Sequence, residues 1–189
     1  MAFELKSARF LARDALERAV QAGDTVVDAT MGNGHDTLFL AQQAGHDGHV
    51  FAIDIQESAL ASTRKLLEEH GVADRVTLLC ASHANLEALV PAPVSAVVFN
   101  LGWLPGASHE ITTLCPSTEK AVRGALGILR PGGILTVCVY PGHAEGAREL
   151  EMLASVFSAL SNRSFNVLRQ SFPNAGEGAP ECFIVQKLR

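Results

Sequence analysis

The chain has 189 residues, 48% of them hydrophobic and 19% charged, enough length and apolar content for one core-bearing domain, which excludes a disordered chain. Lys plus Arg number 15 against 20 Asp plus Glu, a net charge of -5, so bulk electrostatic coating of nucleic acid is excluded and any RNA contact must be local. The longest stretch without Asp, Glu, Lys or Arg, Ala88 to His109, is broken by Pro91, Pro93, Gly102 and Pro105 and is no membrane span, while the charges scattered through Met1 to Val20 leave no signal-peptide core. A cytoplasmic protein without a membrane partner is expected.

In chain order, Ala8, Leu11, Ala12, Ala15, Leu16 and Ala19 recur at helical spacing and predict an amphipathic helix within Ala2 to Gln21, with Lys6, Arg9 and Arg13 on another face. Thr25 to Ala29 reads as a buried strand, and His35 to Ala44 as a helix entered through a glycine-containing turn. The unit then recurs: strand His49 to Ile53 and helix Glu57 to His70; strand Val76 to Cys80 and short helix His83 to Leu89; strand Val94 to Phe99. An uncharged loop, Leu101 to Ser108, leads to a helix from Ser117 to Leu129, which Pro131-Gly132-Gly133 stops before the strand Ile134 to Val139.

Alternating strands and helices predict a parallel sheet covered on both faces. The tail differs: after a helix from Ala144 to Leu160, the strands Phe165 to Gln170 and Cys182 to Lys187 have no room for a crossover helix between them and must pair antiparallel. Five parallel strands closed by an antiparallel hairpin are the arrangement of class I S-adenosylmethionine-dependent methyltransferases, a Rossmann-like α/β fold, and no interdomain linker interrupts it, so 1–189 is read as one domain. Cys80, Cys115, Cys138 and Cys182 form no metal-type spacing and read as reduced thiols, three of them in or at the end of apolar strands, where a core position is expected. No metal is implied.

The strongest local signal is Asp28-Ala29-Thr30-Met31-Gly32-Asn33-Gly34-His35-Asp36-Thr37, where the first strand turns into a helix. Glycines let backbone approach a ligand and the helix start offers unpaired N–H groups. The third glycine of a dinucleotide fingerprint is replaced by Thr37, and Asp28 suits a ligand with an ammonium group, so S-adenosylmethionine is favoured over NAD. Asp54, twenty residues past Gly34, is placed to accept from ribose hydroxyls or else to cap the next helix. Gln56 is near enough to reach the adenine or ribose edge; Ser82 and His83 stand where such folds hold adenine, Ser82 also as a cap and His83 otherwise as a solvated residue.

Asn100-Leu101-Gly102-Trp103-Leu104-Pro105-Gly106 ends the fourth strand. The Asn100 oxygen suits a target N–H and would point the amine lone pair at a methyl group; Trp103 is placed either to stack on a base or to fill the core. His143, in Tyr140-Pro141-Gly142-His143 on the same rim, is read either as a base or as a helix N-terminal residue, with His109, Thr112 and Thr113 as further candidates around the acceptor.

Together DATMGNGHDT, Ser82-His83, NLGWLPG with Ile111-Thr112-Thr113, VYPGH with Gly146, and Asn174 resemble the rRNA methylase family that includes bacterial tRNA 5-aminomethyl-2-thiouridine methyltransferases. The resemblance implies methyl transfer from S-adenosyl-L-methionine to the aminomethyl nitrogen of the wobble uridine, with tRNA, through its anticodon region, as partner. It further implies that Asn33, His35, Asp54, Gln56, Ser82 and His83 hold the cofactor. The Asp and Lys that usually follow the family loop's glycine are absent, the chain reading Gly106-Ala107-Ser108-His109-Glu110, and Trp103 stands where Tyr is common. Methylation of rRNA or of a small amine, and a non-catalytic nucleotide-binding module, are the alternatives. A homodimer is compatible with the sequence, though no residue pattern specifies one.

Overall fold

The computed structural model describes residues 7–104, 106 and 111–189. Seven strands form one sheet in the order β3-β2-β1-β4-β5-β7-β6, with β1 Thr25–Asp28, β2 His49–Asp54, β3 Val76–Cys80, β4 Val94–Asn100, β5 Leu129–Val139, β6 Phe165–Gln170 and β7 Glu181–Lys187. The first five pair in parallel, whereas β7 runs antiparallel between β5 and β6. The short Pro173 to Pro180 connection enforces this, since a parallel return needs a crossover.

Period-two alternation splits the core between the two faces. Val26, Ala96 and Val98 pack with Leu16 of α1 (Ala8–Ala19), Phe39 and Leu40 of α2 (His35–Ala44) and Leu67 of α3 (Glu57–Glu69). Val27, Val97, Phe99 and Val137 pack on the other side with Leu86 of α4 (Leu86–Leu89), Val122 and Ala125 of α5 (Cys115–Ile128) and Leu153 and Phe157 of α6 (Ala144–Ser158). Buried aliphatic side chains of this kind each contribute roughly 1.5–3 kcal/mol, so both faces are needed to hold the sheet.

Several boundaries depart from the sequence pattern by a residue or more, most of all at the helix and strand that follow β4 and at the short helix after β3. Helix α5 starts at Cys115, two residues before the expected Ser117, because Pro116 fits the first helical turn where its missing N–H costs nothing. Strand β5 starts at Leu129, and Pro131-Gly132-Gly133 is not a helix stop followed by coil but an irregularity inside the strand: Val94 pairs with Leu129 and Ala96 already with Ile134. Arg130 holds this bulge, donating to Ser95 Oγ at 2.8 Å and pairing with Asp24 at 3.2 Å. His83 to Asn85 is a single 3-10 turn ahead of a four-residue α4.

The cysteines are free, but only Cys138 and Cys182 are core residues; they face each other across β5 and β7. Cys80 is exposed, contrary to its expected core position, because β3 is an edge strand. No helix among the described residues is long and apolar enough to cross a membrane.

Candidate active site

A cavity of about 750 Å³ opens at the carboxyl ends of β1, β2, β4 and β5. Between β1 and β4 the chain reverses its direction of travel across the sheet, and such reversals leave a crevice above the strand ends. A second groove of about 850 Å³, between α6 and β6, gathers no convergent set of polar groups, its Arg169 being paired with Glu181 at 2.6 Å.

The glycine turn forms one wall. Gly34 has φ of 83°, and a Cβ there would meet Thr63 Oγ1 at 2.8 Å, so both backbone conformation and space require glycine. Asp28 is fully buried behind the turn, where Oδ1 accepts from the Thr30 N–H at 3.2 Å and Oδ2 from the Thr37 hydroxyl at 2.7 Å. Burial first, and then the charges of Asp36 and Asp54, push its carboxyl up to about 7 against the pull of those two hydrogen bonds. Gly32, Asn33, His35 and Asp36 reach the cavity wall, whereas Asp28, Gly34 and Thr37 do not. The latter three shape the turn from behind, since their polar atoms are taken up by the turn or their space by Thr63.

Asp54 sits on the wall with both oxygens braced, Oδ2 accepting from the Gly32 N–H at 3.1 Å and Oδ1 from the Gln56 N–H at 3.0 Å. Each oxygen keeps a further lone pair for a ligand hydroxyl. The N-cap of α3 is Gln56, not Asp54. Ser82 caps the 3-10 turn, accepting from the Ala84 N–H at 3.3 Å, and also lines the cavity. His83 is not solvated: it packs edge-on against Phe99 at 5.8 Å, bonds the Ala29 backbone, and has a buried Nε2 without a partner. Burial holds its pKa below the usual imidazole range, so the neutral ring is favoured.

Asn100 lies opposite, at the end of β4. Its backbone N–H donates to Thr30 Oγ1 at 2.7 Å, its Nδ2 donates to Asp36 Oδ2, and its Oδ1 is buried with no partner. An ionised carboxylate only accepts, so Asp36 takes the NH2 end of the amide and the oxygen faces away from it. Trp103 is 37% exposed on the rim, its ring 4.7 Å from that of His143, and bridges to Thr112 across the loop base. It is not a core filler. His143 caps α6, its Nδ1 accepting from the Gly146 N–H at 3.2 Å, so the neutral ring presents Nε2–H, a donor, and has no free lone pair for a base. Tyr140, Thr112 and Thr113 line the same side, while His109 and Lys6 lie outside the described residues.

Two residues escaped the sequence reading. Arg9 lines the cavity and pairs with Asp36, its Nη2 lying 3.1 and 3.3 Å from the two carboxylate oxygens, so it takes part in the site as well as standing on the basic face of α1. Arg13 on the same face stacks over Phe39 at 4.0 Å beside Glu17. Glu149 is fully buried on α6 and accepts from Thr118 Oγ1 at 2.6 Å and Thr113 Oγ1 at 3.0 Å; Thr113 Oγ1 in turn accepts from the Gly102 N–H at 2.9 Å. Its signal was an acidic residue inside the stripe Gly146, Leu153, Val156 and Phe157, where an apolar one belongs. Among the described residues no cluster of His, Cys, Asp and Glu suits a metal ion.

A mostly parallel seven-stranded sheet with an antiparallel β7, and a crevice walled by a glycine turn and a carboxylate after β2, define the class I S-adenosylmethionine-dependent methyltransferase fold. The family model described as "Putative rRNA methylase" matches residues 50–186, and the chain belongs to that family. It is 41% identical over 168 residues to the tRNA (mnm(5)s(2)U34)-methyltransferase, chloroplastic, of Arabidopsis thaliana, a match covering 84% of this chain but 61% of that protein. The chain thus spans about three-fifths of the length of this curated relative. Among solved structures, an rRNA-methylase from Clostridium thermocellum superposes with a TM-score of 0.96 at 39% identity, covering 98% of this chain and 100% of that one. A methyltransferase from Streptococcus mutans in complex with SAH gives a TM-score of 0.89 at 31% identity, with coverage of 98% and 100%.

Proposed function

We propose that the chain is an S-adenosylmethionine-dependent N-methyltransferase that acts in the cytoplasm on the aminomethyl group of wobble 5-aminomethyl-2-thiouridine in tRNA, giving the methylaminomethyl nucleoside. The observation that carries the reading is the buried, unpartnered Oδ1 of Asn100 on the cavity wall. A buried acceptor left unmade costs about 1–3 kcal/mol, so a ligand N–H placed there recovers that cost. The plant relative's name, which carries the methylated nucleoside mnm(5)s(2)U34 of tRNA, supports a wobble uridine as the target.

The residues present fit S-adenosylmethionine. Gly32 and Asn33 bring the turn close against the cavity, Asp54 has spare lone pairs for ribose hydroxyls, Gln56 and Ser82 line the adenine side, and the orphaned His83 Nε2 seeks a polar partner there. The cofactor supplies an electrophilic methyl group on a sulfonium. Asn100 accepts an N–H of the neutral amine and so aims its lone pair, and Trp103 offers a ring for an unstacked base. Asp36 is paired with Arg9 on the wall, so Asp54 is the carboxylate there that no cation faces among the described residues, a setting that suits a cationic cofactor.

The test is single-turnover methyl transfer to tRNA bearing the aminomethyl group, against tRNA lacking it and against rRNA. Asn100→Ala is expected to lower the rate on the order of 100-fold while leaving cofactor affinity nearly unchanged. Transfer to plain uridine or to rRNA at equal rate, or full activity in Asn100→Ala, overturns the reading.

A further inference from the structure

The amide of Asn100 is nearly symmetric in shape, so its neighbours alone decide which end faces the cavity. Here the decision is made by one carboxylate: Asp36 of α2 accepts from Asn100 Nδ2 and, on its other side, from Arg9 of α1 at 3.1 and 3.3 Å. A flipped amide would set two oxygens against each other. The backbone of Asn100 is tied independently by its N–H to Thr30 Oγ1, at 2.7 Å, so loss of the Asp36 contact would free the amide without releasing the strand end.

We propose that Asp36, held in place by Arg9, is a positioning residue that locks the Asn100 oxygen toward the acceptor amine. This rests on the amine-methylation reading above. It assigns Asp36 to the acceptor and not to the cofactor, and makes α1, which stands ahead of the region matched by the family model, part of the active site. Arg9 adds a charge-assisted bond that holds the carboxylate in place beside the amide. Because its side chain is 45% exposed, its own share is the smaller one.

A double-mutant cycle tests this, with single-turnover rates on aminomethyl tRNA and calorimetric affinity for S-adenosylhomocysteine. Asp36→Ala is expected to slow transfer about 10–100-fold with affinity changed less than about threefold, and to cost nothing further in an Asn100→Ala background. Arg9→Met should lose a few-fold at most, and nothing in Asp36→Ala. The isosteric Asp36→Asn guards against a folding defect: its amide presents either end to Asn100, so its rate should fall between wild type and Asp36→Ala, by the same factor at every pH. In the free protein, the side-chain NH2 resonances of Asn100 should move toward those of an unconstrained Asn side chain in Asp36→Ala.

Multiplying losses in the double mutant, a deficit that fades as pH rises, or an affinity loss matching the rate loss would each overturn the proposal, the second by making Asp36 a proton acceptor. Full activity in Asn100→Ala would instead sink the underlying reading of the reaction.

Discussion

Removing Glu149 tests whether the acceptor loop is pinned from beneath by a buried charge. Its carboxylate takes both the Thr118 hydroxyl at 2.6 Å and the Thr113 hydroxyl at 3.0 Å, linking α6, α5 and the loop base. Hydrogen bonds to a charged group contribute about 1.5–3 kcal/mol each, but burying the charge costs several kcal/mol, so the intact arrangement is only modestly favourable. Glu149→Ala removes the charge yet strands two hydroxyl donors and leaves a void, for a net loss of about 2–4 kcal/mol. In a chain of this size that is roughly 5–10 °C in the unfolding midpoint, measurable by calorimetry. Loosening Thr113, whose oxygen also accepts from Gly102 N–H, should raise KM for the RNA and leave S-adenosylhomocysteine affinity unchanged. Burial raises the Glu149 pKa above the unfolded value, so the associated stability is present below the ordinary glutamate range and is lost as pH rises through the raised value. Wild type should therefore lose stability relative to Glu149→Gln as pH rises. A destabilisation under about 0.5 kcal/mol by Glu149→Ala, or an equal loss of cofactor affinity, would refute the pinning argument.

Asp54→Ala should weaken S-adenosylhomocysteine binding by about 10–100-fold, since a ribose acceptor and the brace on Gly32 N–H go together; calorimetric affinity within a factor of two of wild type would remove Asp54 from the cofactor site. Gly34→Ala should cost about 2–4 kcal/mol by chemical denaturation, because φ of 83° and the approach of Thr63 Oγ1 to 2.8 Å are penalised together, and an unchanged midpoint would contradict the crowding. Asp28, raised from 3.8 to about 7, binds a proton in the folded state that the unfolded chain has released, so stability should fall as pH rises across that window. Asp28→Asn should flatten this part of the profile; an unaltered slope would mean that Asp28 is ionised throughout.

Much of this was legible because it follows from period and spacing. The five parallel units, the antiparallel tail and the glycine turn announced themselves through alternation and connection length, and the β1/β4 crevice follows once that order is fixed. What could not be read was which neighbour a polar side chain would choose. Arg9 looked like part of a basic surface, because nothing local reveals that α1 crosses to Asp36. Asp28 looked like a ligand for an ammonium group, yet Thr30 and Thr37 turn it inward. The bulge in β5 follows from a related cause: Pro-Gly-Gly after a helix is the ordinary sign of a stop, whereas here pairing with β4 resumes beyond it and Arg130 braces it through Ser95 and Asp24, contacts distant in sequence.

The two halves of the cavity are built by different means, and this separates their energetics. On the proposed assignment of one half to the cofactor and the other to the acceptor, the cofactor half is backbone held by local carboxylates, Asp28 and Asp54 being the last residues of β1 and β2. The acceptor half is a loop whose ends are tied by side chains from elsewhere: Thr113 to Glu149 at 3.0 Å, and the Cys115 N–H to Glu145 Oε1 at 2.8 Å, both carboxylates on α6. Changes on α6 therefore act on the acceptor without touching the glycine turn, and changes at Asp54 act in the opposite sense. Asn100 stands at the seam, its backbone fixed by Thr30 of the turn and its amide by Asp36 at the start of α2. A residue tied to the turn on one side and facing the proposed acceptor on the other is where alignment of the two partners would be set, so a substitution there is expected to appear in the rate constant before it appears in either affinity.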